Sequence, residues 1–582
     1  MQDKNSDTLF KKRHSLSHIL LMSIKHHYPH SLATIGPVID TGFYYDIDFT
    51  GGEKPTLDDL PKIEKTMREI ISQHLAFRKE KVSKAQALAL FKMNKYKTEI
   101  INDLSKEVTL YYTGDDFFDL CEGPHVDNTK EIDRNGFILD KIAGAYWRGD
   151  EKNAMLTRIY GIAFNDKEEL VAYTTQQAEA KKRDHRVLGA QLKLFTTSPL
   201  VGAGLPLMQP NGMIIRKEIE DYLWSLHSKK GYSRVWTPHI AKEALYETSG
   251  HAAKFGDELF RVQGKEDKFI LKPMNCPHHM QLFADNQFSY KDMPIRYFEP
   301  ATVYRDEKSG QLGGLTRVRS ITQDDGHLFC TQAQINEEVS TVVGFIKEFY
   351  TTMGMMEGYW VSLSVRGNDM SKYLGTPEVW NIAEKSLEDA AKENKINYKR
   401  VEGEAAFYGP KLDFMFKDAI GREWQLATIQ CDFNLPERFE LFFINNEGKK
   451  ERPVVIHRAI TGSLERFMGI MIEHFAGAFP LWLSPTQVAV LPISDKHHEY
   501  AKEVVAKLEN ENIRVKLDDS KEGLGKKIKS VREMRTPYWV VIGDKDIEAG
   551  MVTLEGRNAG QLGQMKTEDV VERLVSEIKN KK

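Results

Sequence analysis

The amino-acid sequence predicts a multidomain chain of mixed α+β and α/β structure. Its 582 residues are enough for roughly three to five domains at ~100–200 residues each. Hydrophobic residues make up 41% and charged residues 28%, which is typical of globular proteins with ordinary cores. Helix-like and strand-like periodicities alternate along the chain, and this alternation is the third observation behind the predicted fold class.

Composition excludes several protein classes. The formal net charge is −3, so any RNA partner must bind local basic patches. Four widely separated cysteines cannot form a disulfide framework, which favours a reducing compartment. Residues 1–7 contain no apolar stretch typical of a signal peptide, and no run of about 18 apolar residues predicts a membrane helix. We therefore expect a cytoplasmic protein without a membrane partner.

Periodicity and turn residues divide the chain into segments. Residues 15–25 predict a helix, residues 42–49 a strand, and residues 56–91 a helix interrupted near 76–82. Residues 166–188 predict one long charged helix that separates two domains. The proposed boundaries are an N-terminal α+β domain at 1–164, a linker helix at 165–190, a central domain at 191–483 and a C-terminal domain at 484–582.

The C-terminal ~100 residues alternate most regularly. Strands are expected at 488–491, 513–517 and 538–543, with helices at 496–510 and 525–534 and a last helix capped by Thr567. Such alternation predicts helices packed on a small sheet.

One group of side chains comes from two distant N-terminal segments. His14 and His18 share one face of a helix, and Cys121 and His125 flank a Gly-Pro turn. Four such ligands could hold zinc, or the histidines could activate water in a hydrolytic pocket. The spacing alone leaves both readings open.

A second set of side chains has the chemistry of a phosphate site. Arg305 and Glu307 lie two residues apart, which on a strand places them on one face. A glycine-containing loop and Arg317 follow, and arginine donors suit phosphate oxygens. A structural ion pair is the alternative for an isolated pair of this kind.

Two further segments add polar groups. Residues 322–327 (TQDDGH) could recognise an ammonium group or a metal, or form an exposed polar turn. His457 follows an apolar run, and Glu465 and Arg466 begin a predicted helix at 462–475. An arginine at a helix start could meet a nucleotide, and a surface ion pair is the alternative.

Taken together and in order, these segments resemble the threonyl-tRNA synthetases. Pro238 in GYSRVWTPHI resembles motif 1 of class II synthetases, VYRDE motif 2 and GSLERF motif 3. KPMNCP, LTRVRSITQDDGH, AFYGPKLDF and IHRAI resemble the threonyl branch, and HSLSH, LCEGPH and AGAYWRGDEKNAMLTRIYG its editing domain. The resemblance implies a catalytic domain on an antiparallel sheet, an N-terminal editing domain and a C-terminal anticodon-binding domain.

The resemblance also implies a function and its residues. The chain should join L-threonine to tRNA(Thr) with ATP and Mg²⁺, as a homodimer with one Zn²⁺ per subunit. Arg305 should hold the α-phosphate, Glu307 the adenine amino group and Asp325 the threonine ammonium. The implied positions are Cys276, His327 and His457 for zinc; Arg305, Glu307, Arg317, Ile321, Gln425, Thr428, Ser463 and Arg466 for ATP; Gln323, Asp325, Tyr408, Gln430 and Asp432 for threonine; and Arg305, Arg466 and Lys411 for catalysis.

Editing follows from the same resemblance. Serine lacks one methyl of threonine, and such a difference gives only ~10–200-fold discrimination. The family hydrolyses seryl-tRNA at a second site, which maps onto His14, His18, Lys97, Asp119, Cys121 and His125. For the C-terminal domain, Glu555 and Arg557 lie near the expected recognition strand.

The sequence departs from the family pattern at several positions. The small ubiquitin-like domain expected before HSLSH is absent from this sequence. Ile321 replaces a phenylalanine that packs on adenine, Leu426-Ala427 replaces Cys-Gly, Gly313 replaces a histidine, and Glu122 replaces an arginine beside the editing cysteine. Alternatives to a charging enzyme are a tRNA-binding or regulatory paralogue without amino-acid activation, and a standalone deacylase.

Overall fold

The computed structural model describes residues 4–49, 52–104 and 107–582, with side chains from residue 7 onward. Residues 1–3, part of the segment predicted to lack an apolar leader, lie outside the described residues. The chain forms two compact units, residues 1–179 and 180–582. Among the described residues, none of the helices is both long and apolar enough to cross a bilayer.

The first unit is an α+β structure with two sheets. A five-stranded antiparallel sheet and a three-stranded antiparallel sheet are flanked by helices, and Leu16, Ile19 and Phe43 are buried in its main core. The helices are Lys4–His27, Leu60–Ile71, Lys84–Leu90, Lys95–Asp103 and Lys167–Lys182. The strands are Leu32–Ala33, Val38–Ile39, Gly42–Asp48, Phe137–Tyr146 and Met155–Ala163 in the larger sheet, and Phe77–Ser83, Glu107–Thr113 and Phe117–Leu120 in the smaller.

The structure shows what the predicted interruption of one helix is, and it corrects a second helix prediction. The interruption near residues 76–82 is the strand Phe77–Ser83, which pairs with Glu107–Thr113. The predicted helix at 166–188 is two helices, Lys167–Lys182 and His185–Gln191. The break occurs because Asp184 leaves helical geometry and caps the second helix, with its side chain accepting a hydrogen bond from the Arg186 backbone N–H.

An eight-stranded, mainly antiparallel sheet dominates the second unit. Its strands, in spatial order, are Ser233–Arg234, Ile295–Tyr304, Ser320–Cys330, Val454–Ala459, Glu423–Asp432, Lys411–Lys417, Trp360–Val365 and Tyr398–Glu402. Helices Pro210–Ser228, Ile335–Thr352, Pro377–Glu393 and Leu464–His474 contribute apolar side chains to its core. Helix Glu243–Ser249 lies beside a separate three-stranded sheet of Ile240–Lys242, Lys268–Leu271 and Arg261–Gln263, and helix Cys276–Ala284 contacts that helix.

Two local expectations in this sheet also differ from the structure. Arg305 and Glu307 do not share a strand face, because the strand ends at Tyr304 and the Glu307 N–H donates to the Arg305 carbonyl in a tight turn. Residues 322–327 are not an exposed turn, since they lie within the strand Ser320–Cys330 and Asp324 is fully buried.

The end of the chain forms a five-stranded mixed sheet with helices against it, as predicted. Its order is Val515–Leu517, Val488–Pro492, Tyr538–Ile542, Val552–Gly556 and Gly560–Met565, and its helices are His498–Asn510, Leu524–Glu533, Asp544–Ala549 and Thr567–Lys579. Thr567 is the first residue of the last helix; its cap is Lys566. The predicted cap was therefore wrong by one position. The backbone of Lys566 is extended, which is the geometry of a cap residue, and the helix begins at the next residue.

Candidate active site

A cavity of about 570 Å³ lies on one face of the large sheet. Alternate residues of the strand Ser320–Cys330 line it, because successive side chains of a strand point to opposite faces. The sequence-predicted residues on its wall are Arg305, Glu307, Arg317, Ile321, Gln323, Asp325, His327, Tyr408, Gln425, Thr428, Gln430, His457, Ser463 and Arg466. Leu426, one of the departures from the family pattern, also lines it.

Cys276, His327 and His457 converge at one end of this cavity. Their ligand atoms lie within 4.8 Å of one another, and all three residues are buried. His327 and His457 are direct partners on neighbouring strands, and Cys276 begins the helix Cys276–Ala284. The sheet register therefore brings together two histidines that are far apart in sequence, and the start of a helix adds the cysteine.

Hydrogen bonds to one ring nitrogen of each histidine determine which nitrogen is left as an acceptor. His457 Nε2 lies 2.9 Å from Asp432 Oδ2, and His327 Nδ1 lies 2.8 Å from His279 Nδ1. His279 Nε2 in turn reaches Glu299 Oε2 at 3.0 Å. If each chain of bonds ends on its carboxylate, His457 Nε2 and His327 Nδ1 carry the protons. His327 Nε2 and His457 Nδ1 then face each other as acceptors at 2.9 Å.

This donor set fits a metal ion. Burial raises the pKa of the Cys276 thiol well above its usual range, so a thiolate there needs a nearby cation. One sulfur and two imidazole nitrogens are soft ligands suited to zinc, and three protein ligands leave a coordination position open. Carboxylate-backed histidines are typical of such sites.

Next to this cluster lie the polar groups predicted to contact the amino acid. Asp325 is buried, and its Oδ2 has no hydrogen-bond partner among the described residues. Burial raises its pKa. The Tyr408 hydroxyl donates to Gln430 Oε1 at 2.5 Å. An unpartnered carboxylate oxygen on a cavity wall is a suitable acceptor for an ammonium group.

The opposite end of the cavity is rich in arginine. Arg317 pairs with Glu307 at 2.7 Å, and Arg466 Nε donates to the Thr316 carbonyl at 3.1 Å. Arg305 is stacked over Phe255 at 4.9 Å from its ring centroid. Three guanidinium groups around one carboxylate form a site of positive charge, which suits a polyphosphate.

Besides Cys276, two predicted residues are absent from the lining of the cavity, Lys411 and Asp432. Lys411 pairs with Asp413 at 2.7 Å. Asp432 is fully buried behind His457, and its Oδ1 accepts the backbone N–H groups of Asn434 and Leu435. A direct contact of either residue with substrate remains a prediction.

The first unit contains the other predicted cluster. Cys121 Sγ lies 3.2 Å from both His14 Nε2 and His125 Nε2, and the ligand atoms of these residues and His18 lie within 4.8 Å of one another. Lys97 and Asp119 form a buried pair at 2.6 Å. The cluster arises because Gly123, at φ 80°, turns the chain back.

Burial dominates the electrostatics of this N-terminal cluster. It lowers the pKa values of His14, His18 and His125 and raises the pKa of Cys121 to about 11. At neutral pH the cluster is therefore three neutral imidazoles and a thiol.

Some site residues were missed by the sequence analysis. His251 Nε2 lies 3.4 Å from Cys276 Sγ, and His279 and Glu299 lie behind His327. A signal for His279 was its position in KPMNCPHH, while His251 has no distinguishing spacing.

Arg557, which lies near the expected recognition strand, donates to the carbonyls of Ala478 and Phe479, so it ties the C-terminal sheet to the preceding segment.

Comparison with known proteins matches three parts of the chain to domain families. Residues 260–475 match the model of the tRNA synthetase class II core domain (G, H, P, S and T), and residues 487–577 match an anticodon binding domain. Residues 108–160 match the threonyl and alanyl tRNA synthetase second additional domain. The threonine–tRNA ligase of Rubrobacter xylanophilus is 46% identical over 95% of this chain and 86% of its own length.

The chain belongs to the threonyl-tRNA synthetases. The threonine–tRNA ligase of Thermus thermophilus is 44% identical over 97% of this chain and 87% of its own length. The RNA binding domain of threonyl-tRNA synthetase from Cryptosporidium parvum is a structural neighbour with a TM-score of 0.65 and 37% identity, over 68% of this chain and 98% of that one.

The family assignment establishes the reaction. This threonyl-tRNA synthetase is a threonine–tRNA ligase whose substrates are an amino acid, ATP and tRNA. The expectation of a charging enzyme is confirmed. The class II core and the high identity over nearly the full chain argue against a standalone deacylase and against a paralogue without amino-acid activation.

Proposed function

We propose that the ligase selects threonine through a zinc ion held by Cys276, His327 and His457. The zinc would offer open coordination to two donors of threonine, its amino nitrogen and its hydroxyl. Valine has the same shape without the hydroxyl, and a site built for a polar group rejects such an analogue strongly. The convergence of these three side chains in the cavity supports this proposal.

The remaining cavity residues bind and orient the two substrates. Asp325 accepts a hydrogen bond from the threonine amino group, whose neutral nitrogen keeps a lone pair for zinc, and Gln323, Tyr408 and Gln430 enclose the amino acid. At the other end, Arg305 holds the α-phosphate and Arg317 the γ-phosphate. Glu307 accepts the adenine amino group, and Ile321 and Arg466 hold the ring between them; Gln425, Thr428 and Ser463 complete the nucleotide wall.

These residues need to form no covalent bond with substrate during activation. The threonine carboxylate attacks the α-phosphate in line, and diphosphate leaves with Mg²⁺. The arginines lie where negative charge develops on the phosphate oxygens, so they stabilise the transition state more than the ground state.

The N-terminal cluster would serve to remove serine from tRNA(Thr). Neutral histidines can take a proton from an attacking water. His14 Nδ1 is hydrogen-bonded to the Pro124 carbonyl and His125 Nδ1 to the Ser15 hydroxyl, so both partners are uncharged. We therefore assign His14, His18, Cys121 and His125 to hydrolysis of seryl-tRNA(Thr), with Lys97 and Asp119 as a buried support. A metal ion on the same four residues is the alternative.

We also propose a homodimer acting in the cytoplasm. Trp236, two residues before Pro238 of the motif 1 segment, is 72% exposed, and Leu200 is 99% exposed. Met213, on the helix Pro210–Ser228, is 45% exposed. Contiguous patches of exposed apolar side chains are typical of subunit interfaces, and we assign Trp236, in the motif 1 segment, to such a patch. Sedimentation analysis would test the dimer: a Trp236→Glu variant should shift toward monomer.

Metal content measured together with threonine-dependent ATP–pyrophosphate exchange tests the proposed selection mechanism. We expect one zinc per chain, exchange with threonine, and weak exchange with valine. Full exchange by protein stripped of metal would contradict the proposal. So would a valine rate within about tenfold of the threonine rate.

A further inference from the structure

His185 lies outside the cavity wall but contacts the loop that carries Arg317. It is the first residue of the helix His185–Gln191 and is 5% exposed. The Leu315 backbone N–H donates to His185 Nε2 at 3.0 Å. His185 Nδ1 lies 2.6 Å from Glu473 Oε1, near the end of the helix Leu464–His474. Because Nε2 accepts a hydrogen bond, Nδ1 carries the proton in this arrangement.

The carboxylate that orients His185 is itself held in place. Burial acts to raise the pKa of Glu473, but hydrogen bonds from His185 and Arg422 outweigh it and lower the pKa. Asp184, His185 and Glu473 offer ligand atoms within 4.8 Å of one another. Both ring nitrogens of His185 already have protein partners, so the group favours a structural contact over metal binding.

The loop at residues 313–317 is built to approach this histidine. Gly314 has φ 57°, and a Cβ there would lie 2.2 Å from His185 Nε2. Leu315 is fully buried. The next residue, Thr316, accepts the Arg466 Nε–H through its carbonyl, and Arg317 then reaches Glu307. One fixed turn therefore sets the positions of two arginines in the cavity.

We propose that His185 is a positioning residue for nucleotide binding, acting through the Leu315 backbone on Arg317 and Arg466. The inference rests on the proposed contacts of these two arginines with ATP. The threonine end of the cavity has no part in the contact, so the effect should be confined to ATP.

A matched pair of substitutions isolates the contact. In His185→Asn the amide nitrogen replaces Nδ1 and keeps the bond to Glu473, but no atom reaches Leu315. In His185→Gln the longer side chain can place an oxygen near Nε2 and accept the Leu315 N–H. His498→Asn, in the helix His498–Asn510, is the control for loss of an imidazole elsewhere.

The KM for ATP and the KM for threonine are measured by pyrophosphate exchange, with zinc content and melting temperature for each variant. We expect His185→Asn to raise the KM for ATP about tenfold, the effect of one buried N–H left without an acceptor. The KM for threonine should change less than about twofold, and His185→Gln should recover most of the loss. Gly314→Ala should reproduce the ATP effect if His185→Asn does not fold.

Three outcomes would overturn the inference: an unchanged KM for ATP in His185→Asn, an equal rise in both KM values, or no recovery in His185→Gln. If the wild-type enzyme shows no threonine-dependent exchange, the proposed selection of threonine fails instead. Calorimetric titration of ATP into the same variants then decides the role of His185 separately.

Discussion

Cysteine and histidine side chains cluster in both compact units, and the groups that hydrogen-bond to the imidazoles differ between the two clusters. In the second unit, His457 is backed by Asp432 and His327 by His279 and Glu299. In the first unit, His14 is backed by the Pro124 carbonyl and His125 by the Ser15 hydroxyl. Both clusters offer one sulfur and imidazole nitrogens, two in the second unit and three in the first, but carboxylates support one cluster and neutral groups hydrogen-bond to the other.

This difference indicates why similar residues can serve different chemistry. A carboxylate behind an imidazole raises its basicity and offsets the charge of a bound dication. Neutral groups and burial instead keep imidazoles uncharged at neutral pH, so that a ring nitrogen can accept a hydrogen bond from water and orient it for attack. The surroundings, more than the ligand types, separate a metal site from a hydrolytic one.

The largest expected effect comes from removing the thiol of the second unit. Cys276→Ala should abolish zinc binding and lower threonine-dependent exchange by at least about 10³-fold, because we propose that zinc recognises the amino acid. Metal analysis and exchange assays measure both. Cys330→Ala, another buried cysteine, should keep its zinc. A metal-free Cys276→Ala protein with normal exchange would refute the comparison.

Removing the matching groups of the first unit should affect hydrolysis alone. Cys121→Ala combined with His125→Ala should slow hydrolysis of seryl-tRNA(Thr) by about 10²-fold, the scale of general base catalysis. Exchange and zinc content should stay at wild-type levels, as in the exposed control His30→Asn. If zinc content falls by one ion per chain, the N-terminal cluster is a metal site and the distinction fails.

A smaller change tests the carboxylate of Asp432, which accepts the hydrogen bond from His457. Asp432→Asn can keep an oxygen for the backbone N–H groups of Asn434 and Leu435 but no longer offers a carboxylate to His457 Nε2–H. Loss of such a partner weakens metal affinity about 10–100-fold. Competition with a chromogenic chelator measures the affinity. A zinc affinity of Asp432→Asn within twofold of the wild-type affinity would show that this carboxylate does not affect metal binding.

The sequence predicted the fold class and the regular C-terminal alternation well, because those depend on local periodicity. It failed where one side chain interrupts a pattern: Asp184 splits the predicted linker helix, and the chain turns after Tyr304. Cys276, His327 and His457 were placed by family resemblance, since the strand register joins the two histidines and the start of a distant helix supplies the cysteine. His185 and His279 were missed because their roles depend on contacts between distant segments.

The smallest expected effect is in the pH dependence of hydrolysis. A histidine of ordinary pKa, near 6.5, would lose about fourfold of its basic form between pH 8 and pH 6. Burial lowers the pKa values of His14, His18 and His125, so each loses less of its basic form over that range than an ordinary histidine does. Single-turnover hydrolysis of seryl-tRNA(Thr) should therefore fall by less than about fourfold from pH 8 to pH 6. A fourfold fall would mean that solvent reaches the imidazoles, and burial would then no longer distinguish this cluster.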